Sequence, residues 1–343
     1  MSMKTLYIHP NNDFTGSTKV LSNVLSDSAC KVDILTRHSE SGCLTDLKNV
    51  NLITPFILKV NGRTVPGLTS LIWRIHSILI LLLIAPRYEC IYINTILPSW
   101  AAVIARLYRK QVVYHIHEKF THKTREIRFA EYVFNHIKAK RIFVSNYLKD
   151  QYPDNGSETC VQYNRLSSGF ISNVKIKPVE DRDRKNITMI SSLSAIKGVD
   201  TFIELSRCLT EYTFHLVLSA DTENINAYFG NTIPDNVRIY SQVPNVGEVL
   251  EQTDLLLNLT QPKYIIETFG MTILEAMAYG IPSVVPNVGG PKELVQNGYN
   301  GYSVDVSDVV VIKDVIKEAF TLENYEKLCS GALNKFKAIQ GTL

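Results

Sequence analysis

Residues 253–304 read TDLLLNLTQPKYIIETFGMTILEAMAYGIPSVVPNVGGPKELVQNGYNGYSV, and this stretch decides the architecture. Residues 254–259 and 282–285 are short apolar runs, the pattern of parallel strands buried on both faces. Between them Met271, Ile273, Leu274, Met277 and Ala278 are spaced for a helix over 271–279 packed on those strands. Gly280 suits the left-handed conformation that ends a helix, and Pro282 cannot continue one. The turn ahead of the helix, ETFG at 267–270, aims backbone N–H groups and the positive end of a helix dipole outward, which favours phosphate. Glu267 lies in that turn and Glu275, eight residues on, lies more than one turn into the helix. They are therefore no i,i+4 pair and are placed to touch different parts of one extended ligand. An ionised carboxylate accepts two hydrogen bonds from a vicinal diol such as a ribose or hexose. Taken singly, each glutamate also reads as an ordinary solvated charge.

The string ETFGMTILEAMAYGIPSVVPNVGG at 267–290 closely resembles the Glu-x7-Glu signature of the retaining GT-B glycosyltransferases of family 4, the glycosyl transferases group 1. Gly270, Gly280, Pro282, Gly289 and Gly290 stand where that signature has them. The resemblance implies an α/β GT-B fold, two doubly wound Rossmann-like domains facing a cleft, with a nucleotide-diphosphate sugar as donor. It further implies that Glu267 and the amides of Thr268, Phe269, Gly270 and Met271 hold the donor hexose, and that Glu275 holds the ribose.

The chain's 343 residues exceed the usual single-domain size and suggest two domains, each with its own core. Charged residues at 20% and apolar ones at 45% are those of a globular chain and argue against disorder. The net charge of +3 conceals an asymmetry, because residues 1–165 carry net +9 and residues 166–343 net −6. A basic half is expected at an anionic membrane surface or on nucleic acid, unless it is simply a solvated face. No basic motif interleaved with aromatics supports nucleic acid. Six cysteines, at 30, 43, 90, 160, 208 and 329, form neither a CxxC nor a metal-ligand spacing and read as reduced thiols of a cytoplasmic protein. The opening MSMKTLYIHP has an apolar core too short for a signal peptide.

Taken in order, residues 4–9 form a strand, and NNDFTGSTKVLSNVLSD leads through Gly16 and Ser17 into a helix with Val20, Leu21, Val24 and Leu25 inward. Neither the G-x-G-x-x-G fingerprint nor the P-loop spacing is present. The resembling family has a Gly-Gly pair at this turn that meets the donor phosphate or the acceptor. Gly16 keeps the first of the two, and Ser17 replaces the second. After a strand at 32–36 the chain is irregular to Gly67, and 68–85, LTSLIWRIHSILILLLIA, is its most apolar stretch. Arg74 and His76 interrupt that stretch, so it falls short of the roughly 20 residues a bilayer requires. A helix apolar on nearly every side is usually buried; the other expectation is an outer face that meets lipid or a lipid-linked acceptor.

Strands are expected at 89–95 and 111–115, the latter running into HIHEKFTH. His117 and His122 are five apart and so do not share the helical face that H-E-x-x-H zinc ligands need. By resemblance, His117 is the histidine that lies beside the donor sugar. Further strands at 141–144 and 160–163 complete the first domain, 1–166. A polar segment, 167–185, containing EDRDRK, reads as an exposed linker, and Asp181 and Asp183 in it are not a metal-binding D-x-D, because no buried strand precedes them. The donor domain follows at 186–320 with strands at 186–191, 214–219 and 237–240 and a helix near 246–252. Lys197, in the loop before its first helix, is a point charge suited to a diphosphate. The family has Gly-Arg-Leu shortly ahead of this lysine; this chain has Ser191, Ser192 and Leu193. Pro291 suits the first position of a helix. The terminal helix, in 321–343, is expected to cross back to the first domain.

The expected reaction is retaining hexosyl transfer from a nucleotide-diphosphate sugar to a saccharide acceptor that is lipid-linked, as in cell-surface polysaccharide or lipopolysaccharide synthesis. It needs no metal or cofactor and takes place in the cytoplasm or at the inner membrane face. Catalytic roles fall to Glu267, His117 and Lys197, and donor contacts to Gly16, Ser192, Lys197, Glu267 to Met271, and Glu275. Two rivals stand beside it. One is a GT-B nucleotide-sugar epimerase or phosphorylase. The other is a non-catalytic nucleotide-sugar-binding protein, which the serines at 17, 191 and 192 keep open.

Overall fold

The computed structural model describes residues 3–341 except 38, 40, 46, 56–58, 61, 62, 65, 122, 231 and 244. His122, weighed above beside His117, lies outside the described residues, as do parts of the stretch before Gly67. The chain divides into two units, Met1–Ser168 and Gly169–Leu343.

In the first unit, β1 (Thr5–Asn11), α1 (Gly16–Ser26), β2 (Val32–Arg37) and β3 (Val50–Ile53) are followed by a small antiparallel pair, β4 (Lys59–Val60) and β5 (Arg63–Thr64). Then come α2 (Pro66–Ile84), β6 (Cys90–Asn94), α3 (Trp100–Leu107), β7 (Gln111–Ile116), α4 (Arg125–His136), β8 (Lys140–Phe143), α5 (Asn146–Asp150) and β9 (Thr159–Val161). The sheet order is β3-β2-β1-β6-β7-β8-β9, all parallel. Strand order reverses between β1 and β6, and the crevice beyond the carboxyl ends of such a pair is where open α/β sheets bind ligands.

The second unit contains α6 (Ser168–Ser172), β10 (Asn186–Ser191), α7 (Val199–Cys208), β11 (Thr213–Leu218), α8 (Thr222–Phe229), β12 (Val237–Ser241), α9 (Gly247–Leu250) and β13 (Leu255–Leu257). It ends with α10 (Met271–Ala278), β14 (Ser283–Pro286), α11 (Gly289–Leu294), β15 (Gly301–Val304), α12 (Val309–Ala319) and α13 (Leu322–Gln340). Its parallel sheet is ordered β12-β11-β10-β13-β14-β15, with the reversal between β10 and β13. The near-continuous apolar runs of β11 and β13 are buried on both faces, as helix-covered strands must be. A single core joins Ile187, Phe202, Phe214, Leu255 and Val284 to Ile312 and Tyr325 from the last two helices.

Four expectations need correction. Helix α11 starts at Gly289, so Pro291 is its third residue, still in the first turn where a missing N–H costs nothing. Residues 167–185 are not uniformly solvated, because Arg182 is buried, donating to the Tyr279 carbonyl at 2.7 Å and to the Lys177 carbonyl at 3.2 Å. Those acceptors stand in for the hydration shell the guanidinium gives up. Glu275 is not a solvated helix residue but is 1% exposed. Finally, α2 is not covered on every side: Leu71, Ile75, Leu79 and Leu83, each four residues from the last, are 48–75% exposed.

Candidate functional site

The second unit brings Lys197 and Glu267 together across 70 residues of sequence, with Lys197 Nζ 2.8 Å from Glu267 Oε2. Each arrives on a turn beyond one of the two strands at the reversal. Lys197 closes the one-turn 3-10 helix Ala195–Lys197, which Ser194 caps by accepting from the Ile196 N–H at 3.3 Å. That turn is tied to the end of the β13 segment, where Gln261 N–H donates to the Ile196 carbonyl at 2.8 Å. On its far side the 267–270 turn is held by α11, Gly290 N–H donating to the Glu267 carbonyl at 2.9 Å. The approach leaves no room for a side chain, since a Cβ on Gly290 would lie 2.2 Å from the Thr268 carbonyl oxygen.

Gly270 is the N-cap of α10 at φ 104°, a conformation glycine adopts without strain. It has no side chain with which to satisfy the first-turn amides, so the helix presents them and its dipole to an incoming anion. Phe269 is buried and anchors the turn, whereas Thr268 and Met271 are partly exposed. The pair of Lys197 and Glu267 is also partly exposed, at 28% and 26%. An ammonium has three donors and holds a carboxylate and a phosphate oxygen at once. Ser192 lies elsewhere, lining a cavity of 590 Å³ with Leu193, Ser219, Ala220, Asp221 and Gln242, at the carboxyl ends of β10, β11 and β12.

In the first unit Gly16 opens α1, and a Cβ there would meet nothing within 4 Å, so packing does not demand the glycine. Thr15, the N-cap, makes no side-chain cap; its hydroxyl donates to Asp13 Oδ1 at 2.6 Å. His117, just past β7, is 7% exposed, with Nε2 2.8 Å from Asn94 Oδ1. Asn94 also donates to the Ser17 carbonyl at 3.2 Å, so one amide links His117 to the small-residue turn. The rings of His115 and His117 lie 4.2 Å apart. Beside them Thr95 is held at φ 71°, a conformation costly for a β-branched residue. Desolvation pushes the neighbouring Glu118 carboxyl up to about 7, against a hydrogen bond with Thr95 that works the other way.

Burial holds the histidines neutral: it brings His9 and His115 each down to about 4, and His117 well below its ordinary value, with His115 and His9 adding to the effect. For His9, hydrogen bonding at Asn94 and the charge of Asp13 oppose burial without overcoming it. A folded-state pKa below the unfolded one contributes stability that is complete above about 6.5 and is lost as pH falls toward 4. Each such histidine costs up to about 1.4 kcal/mol per pH unit across that window. The urea midpoint is therefore expected to drop between pH 7 and pH 5, and a midpoint constant over that range would contradict neutral burial.

Asn94 and His9 were not legible as site residues, because a polar side chain inside an apolar strand carries no periodic signal. The role of Arg182 under the Tyr279 carbonyl was equally hidden in a charged run.

Residues 171–332 match the family model described as glycosyl transferases group 1. The chain is 31% identical over 135 residues to the N-acetyl-alpha-D-glucosaminyl L-malate synthase of Bacillus anthracis, an alignment covering 38% of this chain and 34% of that enzyme. It thus spans about a third of that relative's length. Among solved structures, Anabaena HepE in complex with UDP-glucose superposes with a TM-score of 0.79 at 20% identity, over 98% of this chain and 95% of that one. WaaG, a glycosyltransferase involved in lipopolysaccharide biosynthesis, does so with a TM-score of 0.68 at 15% identity, over 98% and 95%. With two doubly wound units, the second holding the Glu267-to-Glu275 turn and helix, the chain has the GT-B fold, and its residues 171–332 are similar to the glycosyl transferases group 1.

Proposed function

We propose that this chain is a retaining glycosyltransferase that moves a hexose-type sugar from a nucleotide-diphosphate donor to a saccharide acceptor. The observation that carries the proposal is the 2.8 Å pair of Lys197 and Glu267 at the strand reversal, beside the uncapped amides of α10. Departure of the diphosphate builds negative charge on its oxygens, and a preorganised ammonium with a helix N-terminus is placed to meet it. Glu267 and the amides from Thr268 to Met271 take the hexose, and Glu275 takes the ribose. Ser192 and the cavity it lines take the rest of the nucleotide. Gly16 and His117 serve from the first unit. No metal and no cofactor enters this scheme. The family match and the likeness to a protein bound to UDP-glucose support a sugar nucleotide as donor. Lys197→Ala is expected to weaken nucleoside diphosphate binding roughly tenfold by calorimetry; unchanged affinity removes the diphosphate role.

We further propose that the acceptor is lipid-linked and that the protein works at the inner, anionic membrane face. Among the described residues no helix is long and apolar enough to cross a membrane. Besides the exposed stripe of α2, Val103 and Leu107 on α3 and Phe129 and Tyr132 on α4 are exposed, and α2 packs on α3 and α3 on α4. Exposed Arg106, Arg125 and Arg128 stand among them. Exposed apolar side chains together with arginines suit the boundary between acyl chains and anionic headgroups. The chain is expected to float with anionic vesicles in a salt-sensitive manner, and a Leu79→Glu, Leu83→Glu variant to stay behind. No difference between the two proteins contradicts docking through this face.

A further inference from the structure

Arg182 is buried in the second unit with neutral oxygens for company. Nη2 donates to the Tyr279 carbonyl at 2.7 Å and Nε to the Lys177 carbonyl at 3.2 Å. Nη1 donates to the Tyr325 hydroxyl at 3.4 Å and to the Thr253 carbonyl at 3.5 Å, and that hydroxyl donates in turn to the Asp254 carbonyl at 3.0 Å. Among the described residues Arg182 forms no ion pair. The Asp254 carboxylate, also buried, is taken up by the N–H groups of Lys185 and Asn186 and by Asn186 Nδ2, each at 3.0 Å. A guanidinium keeps its proton even here, so a whole positive charge is fixed inside the unit at a real desolvation cost. Its place is what gives that cost a use. Tyr279 is the C-cap of α10, whose last turn is closed by Tyr279 N–H and Ile281 N–H on the Ala276 carbonyl and by Gly280 N–H on that of Met277. The Tyr279 carbonyl beyond them is left for Arg182.

We propose that Arg182 is a positioning residue for the donor's diphosphate: it fixes where α10 ends and, through that helix, raises the positive potential at the Gly270 turn. The inference rests on the placing of a nucleoside diphosphate at that turn in the function proposed above. Helix α10 has eight residues, so its two ends are about 12 Å apart. A cation at the carboxyl end and an anion at the amino end are the two charges a helix dipole favours. A lysine on the surface would do the same weakly, because salt screens it. Arg182 is 6% exposed, and the helix between it and the turn is buried from Ile273 to Ala278, so neither water nor salt intervenes along that line. At an effective dielectric constant of about 40, one charge acting over about 12 Å changes the affinity of a doubly charged anion roughly tenfold and that of a singly charged one roughly threefold.

The test is calorimetry on the full chain with UDP, GDP and ADP, then with the monophosphate of whichever base binds. Arg182→Met fills the space without the charge, and Arg182→Lys keeps the charge without the planar fork. Arg182→Met is expected to weaken the diphosphate roughly tenfold and the monophosphate roughly threefold, whereas Arg182→Lys should hold both within about twofold of wild type. Thermal unfolding of the same proteins supplies the control. A purely structural role would make the loss of affinity follow the loss of stability, so that lysine and methionine cost the ligand alike. That result overturns the proposal, as does an Arg182→Met protein with wild-type affinity, or one that weakens the two nucleotides by the same factor. Should Arg182→Met fail to fold, Arg182→Gln, which is neutral and keeps one amide donor toward the Tyr279 carbonyl, takes its place with the same expected ratios. A wild-type chain that binds none of the three diphosphates overturns the donor reading and this inference with it. One that binds a diphosphate but is indifferent to the charge at residue 182 overturns this inference alone.

Discussion

Glu267→Ala is expected to lower the transfer rate by at least about a hundredfold while nucleoside diphosphate affinity stays within a few fold. In the proposed reading Glu267 serves the sugar end of the donor, so removing it would take away hydrogen bonds to the hexose and leave the diphosphate contacts in place. Its loss also releases Lys197, whose 2.8 Å partner it is. In that reading the freed ammonium still meets a phosphate, so binding of the diphosphate alone is expected to survive. The proposed retention of configuration invites a second role for this carboxylate, that of a covalent nucleophile as in retaining glycosidases. A residue already neutralised by an ammonium is a poor nucleophile, and the proposed route has the leaving phosphate assist the acceptor on the same face. Transfer at wild-type rate in Glu267→Ala would remove the residue from the site.

Gly290→Ala should have an effect of similar size without touching any polar side chain. Its Cβ would lie 2.2 Å from the Thr268 carbonyl oxygen and 2.5 Å from Phe269 Cα. Both are backbone atoms with no rotamer to yield, so the 267–270 turn itself must move. Overpacking of this kind costs about 1–3 kcal/mol of stability. A displacement approaching 1 Å at a binding turn costs on the order of a hundredfold in rate. The two losses separate by experiment, since thermal unfolding reads the first and initial rates at saturating donor read the second. A folded Gly290→Ala protein with full activity would show that the turn's position does not matter.

Much of the fold was legible because it was written in letters with few alternatives. The apolar runs around residues 255 and 284 admit little but buried strands, and Gly280 at φ 66° ends α10 where its spacing to Pro282 required. Lys197 stood out as a lone cation between a strand and a helix. Other features were silent for identifiable reasons. Helix α4, REIRFAEYVFNH, has so many charges that its apolar face is thin, and it was not anticipated. In α2 nearly every residue is apolar, so the letters do not distinguish the face against α3 from the face that stays open. Arg182 sat in a run of charges whose composition suggests solvent, yet its neighbours are carbonyls. His9 and Asn94 depend on partners 85 residues apart, a pairing that appears only when β1 and β6 lie side by side.

The most direct test is a crystal structure of the chain with a nucleoside-diphosphate hexose. The diphosphate is predicted within hydrogen-bond reach of Lys197 Nζ and the amides that follow Gly270, with hexose hydroxyls on Glu267 and ribose hydroxyls on Glu275. A well-ordered sugar nucleotide bound elsewhere, with Lys197 and Glu267 still closed on each other, would contradict the account.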